Sequence, residues 1–363
     1  MTRVLLSAAE PSADRYAARL VPALRAAWPG IALEAIAGAE TAAHGVPLVH
    51  GLDGLQAFGL VETARSARTH VRLYRAIVAA LRRGAWDLVI LCDYPGFHLR
   101  VGQAARAAGV PVLYYIAPQL WAWGPWRTAR LRRAADRLAV VLPFEQAFFA
   151  ARGVPATFVG HPLLDEAPPA RAAARLALGI ADDAPVLALL PGARPGECAR
   201  HWPLFRAAAR DLGRIVPGLV TVVGAVPGRH YPASHGCVMA HGGGAALAAA
   251  DVALLKSGTA TLEAALANVP AVVSYRLHPV SWWVARRLVR VPWVSLASLV
   301  ADEMVHPELL QRDATPRDLA ARLAGALGDD AARQRAAYTR VRGRLGSAGA
   351  AGRVAQLARE LAA

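Results

Sequence analysis

Short, almost wholly apolar runs recur along the chain, each followed by an Ala/Leu/Arg-rich stretch at helical spacing. Val4–Ser7 reads as a strand leading through a turn into a helix over Ala13–Ala27, and Leu33–Gly38 as a second strand. Leu73–Arg83 has the one-sided apolar spacing of an amphipathic helix. Leu88–Cys92 is nearly all apolar, as expected of a parallel strand covered on both faces. Gln103–Ala108 continues as helix, with Val112–Ile116 and Leu138–Val141 as strands. Around Val159–Pro169 a Gly-His-Pro, an Asp165-Glu166 pair and Pro168-Pro169 interrupt the pattern and read as an interdomain linker. The alternation then restarts. Pro185–Leu190 and Val220–Val223 are strands on either side of a helix from about Pro203 to Ile215, and Val252–Leu255 and Val269–Ser274 flank a helix over Thr261–Ala267. After Thr315 the chain is helical, with a break at Gly343–Gly352. Strand and helix in strict alternation predict an α/β fold: two doubly wound, Rossmann-like domains over 1–165 and 166–340, facing a cleft, with a helical C-terminal segment over 341–363.

Composition narrows the partners. A chain of 363 residues, 55% of them hydrophobic, supplies two cores. The longest apolar runs, such as Leu88–Cys92 and Val110–Ala117, are far too short to cross a bilayer, and the first residues lack the apolar run of a signal peptide, so a cytoplasmic location is expected. Three scattered cysteines, Cys92, Cys198 and Cys237, have neither disulfide-framework nor zinc-ligand spacing. The net charge of +15 invites a nucleic-acid reading. Yet Lys256 is the sole lysine, and the arginines are dispersed among alanines as a GC-rich coding bias would leave them. Nucleic acid is therefore not an expected partner. Anionic lipid or a phosphorylated substrate accounts for the charge as well. Self-association is left open.

In doubly wound folds, ligands sit at the carboxyl ends of strands, so chemistry is sought in the turns that follow them. Four turns stand out. Ala8–Asp14 crowds Glu10, Ser12 and Asp14 at a strand-to-helix turn; capping accounts for one of them but not readily for all three. Asp93 ends the buried strand Leu88–Cys92 ahead of Pro95-Gly96, where a carboxylate beside an apolar wall can accept a proton or, more plainly, cap the turn. In Leu189–Glu197, Gly192 lets backbone approach a diphosphate, and Arg194 offers a planar fork to its oxygens beside Glu197. In Leu255–Glu263, Ser257, Gly258 and Thr259 form a hydroxyl-rich turn, with Glu263 one helical turn on and able to accept from ribose hydroxyls; the competing reading is a Thr/Glu capping box. Two phosphate-suited turns in one domain favour a nucleotide. No DxD pair occupies a strand-end turn, since Asp182-Asp183 and Asp329-Asp330 read as helix caps, so no metal or other cofactor is expected and arginine would meet the leaving-group charge.

Taken in order, these segments resemble the lipid-A-disaccharide synthase family over nearly the whole chain. The family's A-G-E-x-S-G-D is similar to Ala8–Asp14, its strand-end Asp followed by Pro and Phe to Asp93, Pro95 and Phe97, and its S-P-x-x-W-A-W to Ala117–Trp123. L-P-F-E stands intact at Leu142–Glu145, F-V-G-H-P-L at Phe158–Leu163, S-G-T-A-T-L-E at Ser257–Glu263 and P-E-L-L-Q at Pro307–Gln311, while L-P-G-S-R-x-x-E resembles Leu190–Glu197. The resemblance implies a GT-B fold and inverting transfer of 2,3-diacylglucosamine from a UDP-sugar donor to the 6-hydroxyl of an acylated sugar phosphate acceptor, 2,3-diacylglucosamine 1-phosphate. It implies Asp93 as general base and Arg194 as a diphosphate or leaving-group contact. Ser257, Gly258, Thr259 and Glu263 would hold the nucleotide, Glu10, Ser12 and Asp14 would line the cleft, and Val354–Leu361 would fold back onto the first domain.

Several residues depart from the family pattern. Ala9 and Ala13 replace glycines, which restricts backbone angles, and Ala193 replaces a serine. Gly96 and His98 stand in the usual P-D-F-N, and Ser298 and Glu303 in the usual N-L-L-A-G-R-E, where Glu303 inverts a charge. These departures motivate two alternatives: a paralogue using another UDP-sugar and acceptor, or a non-catalytic UDP-sugar or lipid-binding protein. Acylated substrates also suit a protein resting on the inner face of the inner membrane. Leu55–Leu60 with Arg65, Arg68, Arg72 and Arg75, and Trp282-Trp283 with Arg286, Arg287 and Arg290, pair apolar residues with cations as an anionic membrane contact would require. A buried core with a solvated arginine face fits either segment equally.

Overall fold

The strands of this computed structural model, which describes residues 1–53, 55, 60–226 and 228–363, form two separate all-parallel sheets. The first contains β1 (Arg3–Ser7), β2 (Ala32–Ile36), β3 (Leu48–His50), β4 (Leu88–Cys92), β5 (Val112–Tyr115), β6 (Arg137–Val140) and β7 (Ala156–Phe158). The second contains β8 (Val186–Leu190), β9 (Val220–Ala225), β10 (Cys237–His241), β11 (Val252–Lys256), β12 (Ala271–Tyr275) and β13 (Glu308–Leu310). Their spatial orders are β3-β2-β1-β4-β5-β6-β7 and β10-β9-β8-β11-β12-β13. Each sheet starts near its middle, winds outward one way, then returns to wind the other. The strand order therefore reverses between β1 and β4 and between β8 and β11, leaving a crevice beyond the carboxyl ends of each pair.

The apolar runs form strands because helices cover both faces of each sheet. In the second, Leu187, Leu189, Val223, Leu254 and Val272 point into one core. Ala188, Leu190, Val222, Leu255 and Val273 point into the other. Alternation of side chains along a strand turns a continuous apolar run into two buried faces.

The chain divides into two compact units, Met1–Asp165 with Leu345–Ala363, and Glu166–Arg344. The C-terminal helix Ala350–Ala362 lies against the helix Pro11–Ala27 of the first unit, burying Val354, Ala355, Leu357 and Ala358. Asp165 Oδ1 accepts from Gly349 N at 2.5 Å, and Arg353 Nε donates to Val159 O at 2.8 Å. Gly160, at φ +78°, sits where an added Cβ would come within 3.0 Å of Ser347 O, so the returning chain requires glycine there.

Differences from the sequence expectations have local causes. Helices begin earlier than periodicity suggests: Pro95–Ala107 and Pro195–Gly213 both open on proline, which fits the first helical turn because its missing N–H has no intrahelical partner there. The edge strands β3, β7 and β13 are three residues each and part-exposed, too short to leave a periodic signal, and β10 is a part-exposed edge strand marked only by the brief apolar run Cys237–Ala240. The helix Gly242–Ala249 starts on three glycines, a composition that argues against helix.

Candidate functional site

Both strand-switch points gather polar side chains singled out in the sequence. In the second unit, β8 ends at Leu190 and runs through Pro191–Arg194 into the helix at Pro195, while β11 ends at Lys256 and runs through Ser257-Gly258-Thr259 into the helix Ala260–Leu266. Between these turns lies a pocket of about 200 Å³, lined by Gly192, Ala193, Glu197, Gly224, Gly243, Lys256, Ser257, Gly258, Thr259 and Glu263 among others. Missing side chains shape it. Gly192 has φ +118°, and a Cβ there would lie 2.8 Å from Glu197 Cβ. A Cβ on Gly243 would meet Leu190 Cδ2 at 2.8 Å and Glu263 Oε2 at 3.1 Å, and one on Gly224 would meet Gly243 Cα at 3.1 Å.

The pocket's charges are organised around Lys256. Its Nζ lies 3.0 Å from Glu197 Oε1, with both side chains largely buried, and 5.4 Å from the Tyr275 ring centroid. Arg194, 74% exposed, reaches the same carboxylate only at 4.0 Å and is therefore weakly held. Arg229 Nε donates to Ala193 O at 2.9 Å, which stations a second guanidinium on the turn. His201 Nδ1 donates to the Glu197 carbonyl at 2.9 Å and its Nε2 accepts from Arg276 N at 3.0 Å; burial lowers its pKa, consistent with this neutral form.

Gly192, Glu197, Ser257, Gly258, Thr259 and Glu263 thus line one pocket, with Arg194 at its turn. The roles differ from a simple hydroxyl cradle. Ser257 Oγ donates to Val294 O at 2.5 Å, which uses its only proton within the fold. Thr259 is exposed and its side chain makes no capping bond, so the Thr/Glu capping box does not form. Sequence reasoning passed over Lys256 and the Gly242-Gly243-Gly244 run. The sole lysine at a strand end, and three glycines after an edge strand, were the signals available.

In the first unit, β4 leads into Asp93 and Tyr94, both left-handed at φ 52° and 51°, before the helix starting at Pro95. Such angles cost a non-glycine residue roughly 1–2 kcal/mol each. Two bonds hold the turn: the Asp93 carbonyl accepts from Tyr114 OH at 2.6 Å and from His98 Nδ1 at 2.6 Å. His98 is fully buried, which lowers its pKa to about 4, and its Nε2 lies 2.8 Å from Ser7 Oγ at the end of β1. Tyr94 OH donates to Leu55 O at 3.0 Å and accepts from His70 Nε2 at 2.9 Å. Glu10 lies close enough to act on this turn: burial raises the Tyr94 and Tyr114 phenols, with the Glu10 charge adding to both and the Asp93 charge to Tyr114.

The structure gives Asp14 a different place from the cleft lining inferred for it. Its carboxylate is buried and accepts from Glu40 N at 3.1 Å, Thr41 N at 3.2 Å and Thr41 Oγ1 at 2.5 Å, capping the short helix Ala39–Ala42. Ser12 lies in the helix Pro11–Ala27, and its side chain falls outside the described residues. Ala9 and Ala13, expected to be restrictive, are buried and absent from the positive-φ positions, so alanine fits both without strain. Glu303 is paired with Arg340 at 2.6 Å, and buried Ser298 Oγ accepts from Val305 N at 3.2 Å, so the fold itself engages both side chains.

On the surface, Trp283 is 56% exposed with Arg287 stacked 3.6 Å over its ring, and Arg286, Leu288, Val289 and Arg290 are exposed beside it. Arg68, Arg72 and Arg75 are also exposed, whereas residues 56–59 and the side chains of Leu60 and Arg65 lie outside the described residues. Among the described residues no helix is long and apolar enough to cross a membrane.

Residues 4–360 match the family model for lipid-A-disaccharide synthetase. The lipid-A-disaccharide synthase of Myxococcus xanthus is 37% identical, with 99% of this chain and 97% of that protein covered. The enzyme of the same name from Alkalilimnicola ehrlichii is 39% identical over 94% of this chain and 92% of its own. Among solved structures, the glycotransferase of kitacinnamycin superposes with a TM-score of 0.66 over 99% of this chain and 98% of that one, at 16% identity, a likeness of fold alone.

Proposed function

This chain belongs to the lipid-A-disaccharide synthase family, and from that membership we infer that it transfers 2,3-diacylglucosamine from its UDP donor to the 6-hydroxyl of 2,3-diacylglucosamine 1-phosphate with release of UDP. It is a UDP-sugar-dependent hexosyltransferase of lipid A biosynthesis, built on the two-domain GT-B fold. The observation that carries this reading is the family match over residues 4–360, which takes in both strand-switch turns.

We place the UDP moiety in the pocket of the second unit. Gly192 and Gly258 leave backbone open to a diphosphate, Arg194 and Lys256 supply cationic charge, and Glu263 accepts from ribose hydroxyls. Asp93 acts as general base, with Glu10 beside it as a polar contact for the acceptor sugar. In the transfer, the Asp93 carboxylate takes the proton of the acceptor 6-hydroxyl as that oxygen bonds to the donor's anomeric carbon. The bond from the anomeric carbon to the β-phosphate oxygen breaks, and its electron pair leaves with UDP. Inversion follows from attack on the face opposite the leaving group. Arg194 and Lys256 stabilise the charge that builds on the diphosphate, where fixed cations act most strongly.

Both substrates are acylated, and we propose that the protein meets them as a peripheral protein on the inner face of the inner membrane. The exposed Trp283, Arg286, Arg287 and Arg290 support this reading, because an interfacial tryptophan flanked by arginines suits an anionic lipid surface.

Asp93→Asn tests the assignment of the base. The variant is expected to bind UDP like the parent while UDP release in the presence of donor and acceptor falls by about 10²–10⁴-fold. Parental turnover in this variant would remove Asp93 from the mechanism.

A further inference from the structure

Asp93 and Tyr94 follow one another in the left-handed region, which an aspartate tolerates and a tyrosine does not, so two in succession call for something to hold the turn there. The restraint converges on one atom. The Asp93 carbonyl oxygen accepts from Tyr114 OH on β5 and from His98 Nδ1 in the first turns of the following helix, each at 2.6 Å. A carbonyl only accepts, so Nδ1 carries a proton. Neutral His98 must then present Nε2 as an acceptor, and Ser7 Oγ, 2.8 Å away at the end of β1, donates to it. His98 and Ser7 are both fully buried, and Tyr114 is buried with them. Three neighbouring strand ends, those of β1, β4 and β5, are thereby tied to the peptide that carries the Asp93 side chain.

We propose that Ser7, His98 and Tyr114 form a positioning clamp that aims the Asp93 carboxylate by gripping its own backbone carbonyl. The proposal rests on Asp93 being the base. His98 is a positioning residue here, not a catalytic one, since its ring nitrogens are both engaged inside the protein and neither faces a substrate. Its contribution is to hold the base in a geometry from which small displacements are costly, because a misplacement of about 1 Å in a reacting group lowers a rate on the order of 10²-fold.

Two near-isosteric substitutions separate positioning from simple packing. In His98→Asn the carboxamide nitrogen falls where Nδ1 stood and keeps a donor for the Asp93 carbonyl. In His98→Gln the carboxamide reaches instead toward the place of Nε2 and Ser7, and the donor to Asp93 is lost. Both remove the ring and should lower Tm comparably. The clamp requires that His98→Asn keep kcat within several-fold of the parent, and that His98→Gln lose on the order of 10²-fold in kcat with donor KM and UDP affinity unchanged. Equal kcat in the two variants, or loss confined to KM, would overturn it. Should either fail to fold, Tyr114→Phe removes the second donor without changing shape: a fall in kcat at constant KM supports the clamp and parental kcat refutes it. A fully active Asp93→Asn would instead defeat the assignment of the base, whatever the His98 variants do.

Discussion

Gly192→Ala is the sharpest local perturbation of the nucleotide pocket. The native φ of +118° lies beyond even the left-handed helical well, in a region that residues with a Cβ occupy only under strain of roughly 1–3 kcal/mol. The added methyl would also stand 2.8 Å from Glu197 Cβ and 3.0 Å from Glu197 Oε2, against the 3.5–4.0 Å at which carbon atoms rest. Relief requires Glu197 to move away, and Glu197 is the partner that holds Lys256 at 3.0 Å. The expected outcome is a loss of about 2–4 kcal/mol of stability, combining backbone strain with overpacking, and a UDP affinity at least ~10-fold weaker. Differential scanning calorimetry and isothermal titration with UDP read the two effects. Gly196→Ala, four residues on in the same turn and helix start, is the control: its Cβ would meet nothing within 4 Å, so the substitution should be neutral or stabilise by up to about 1 kcal/mol. If Gly192→Ala matched Gly196→Ala in both assays, the close approach of Gly192 to Glu197 would not shape the pocket.

Other expectations follow from single sites. Lys256→Met should weaken UDP binding by about 10-fold or more while leaving uridine binding near parental, since a charge-assisted contact to phosphate contributes about 1.5–3 kcal/mol; equal loss for both ligands would mean that Lys256 serves only the fold. Arg175, fully buried, donates to the carbonyls of Ala181, Asp182, Ala184 and Ala249 and pairs with Asp251 at 2.9 Å, so Arg175→Met should cost about 3–5 kcal/mol by denaturant titration. Burial lowers His98 and His161 to about 4 and His306 to about 3, so below pH 6.5 the unfolded chain takes up protons before the folded one. Each histidine then removes stability as pH falls from 6.5 toward its folded value, at up to about 1.4 kcal/mol per pH unit. Glu145, raised by burial to about 7, has the opposite slope between pH 4.5 and 7, and Glu308, also raised by burial, acts in the same sense, whereas His201, lowered by burial, adds to the histidine side. Unfolding free energy should therefore drop between pH 6.5 and 5, and a flat profile would contradict these assignments.

What the sequence made legible was whatever leaves a run or a fixed pair. Leu88–Cys92 is a strand in both readings, because five apolar residues buried on two faces leave no other signal. Asp93 and the two glycine turns could be located because strand ends in a doubly wound fold are where side chains escape the core. Long-range pairing was not legible. Nothing near Asp14 in the sequence says that its carboxylate caps a helix beginning at Ala39, and nothing near His98 points to Ser7, 91 residues away. The departures also looked graver in sequence than in space. Glu303 inverts a charge on paper, but its partner Arg340 stands on a helix far along the chain. Lys256 stands out in the sequence only as the sole lysine, and nothing in the sequence pairs it with Glu197, the neighbour that the fold supplies.

The most direct test of the central claim is product stoichiometry with the purified protein. UDP-2,3-diacylglucosamine and 2,3-diacylglucosamine 1-phosphate are supplied together and singly, and UDP and the acylated disaccharide are quantified in parallel. UDP and disaccharide are expected in a one-to-one ratio, and only when both substrates are present. UDP release that ignores the acceptor, or no turnover in a protein that binds UDP, would contradict it.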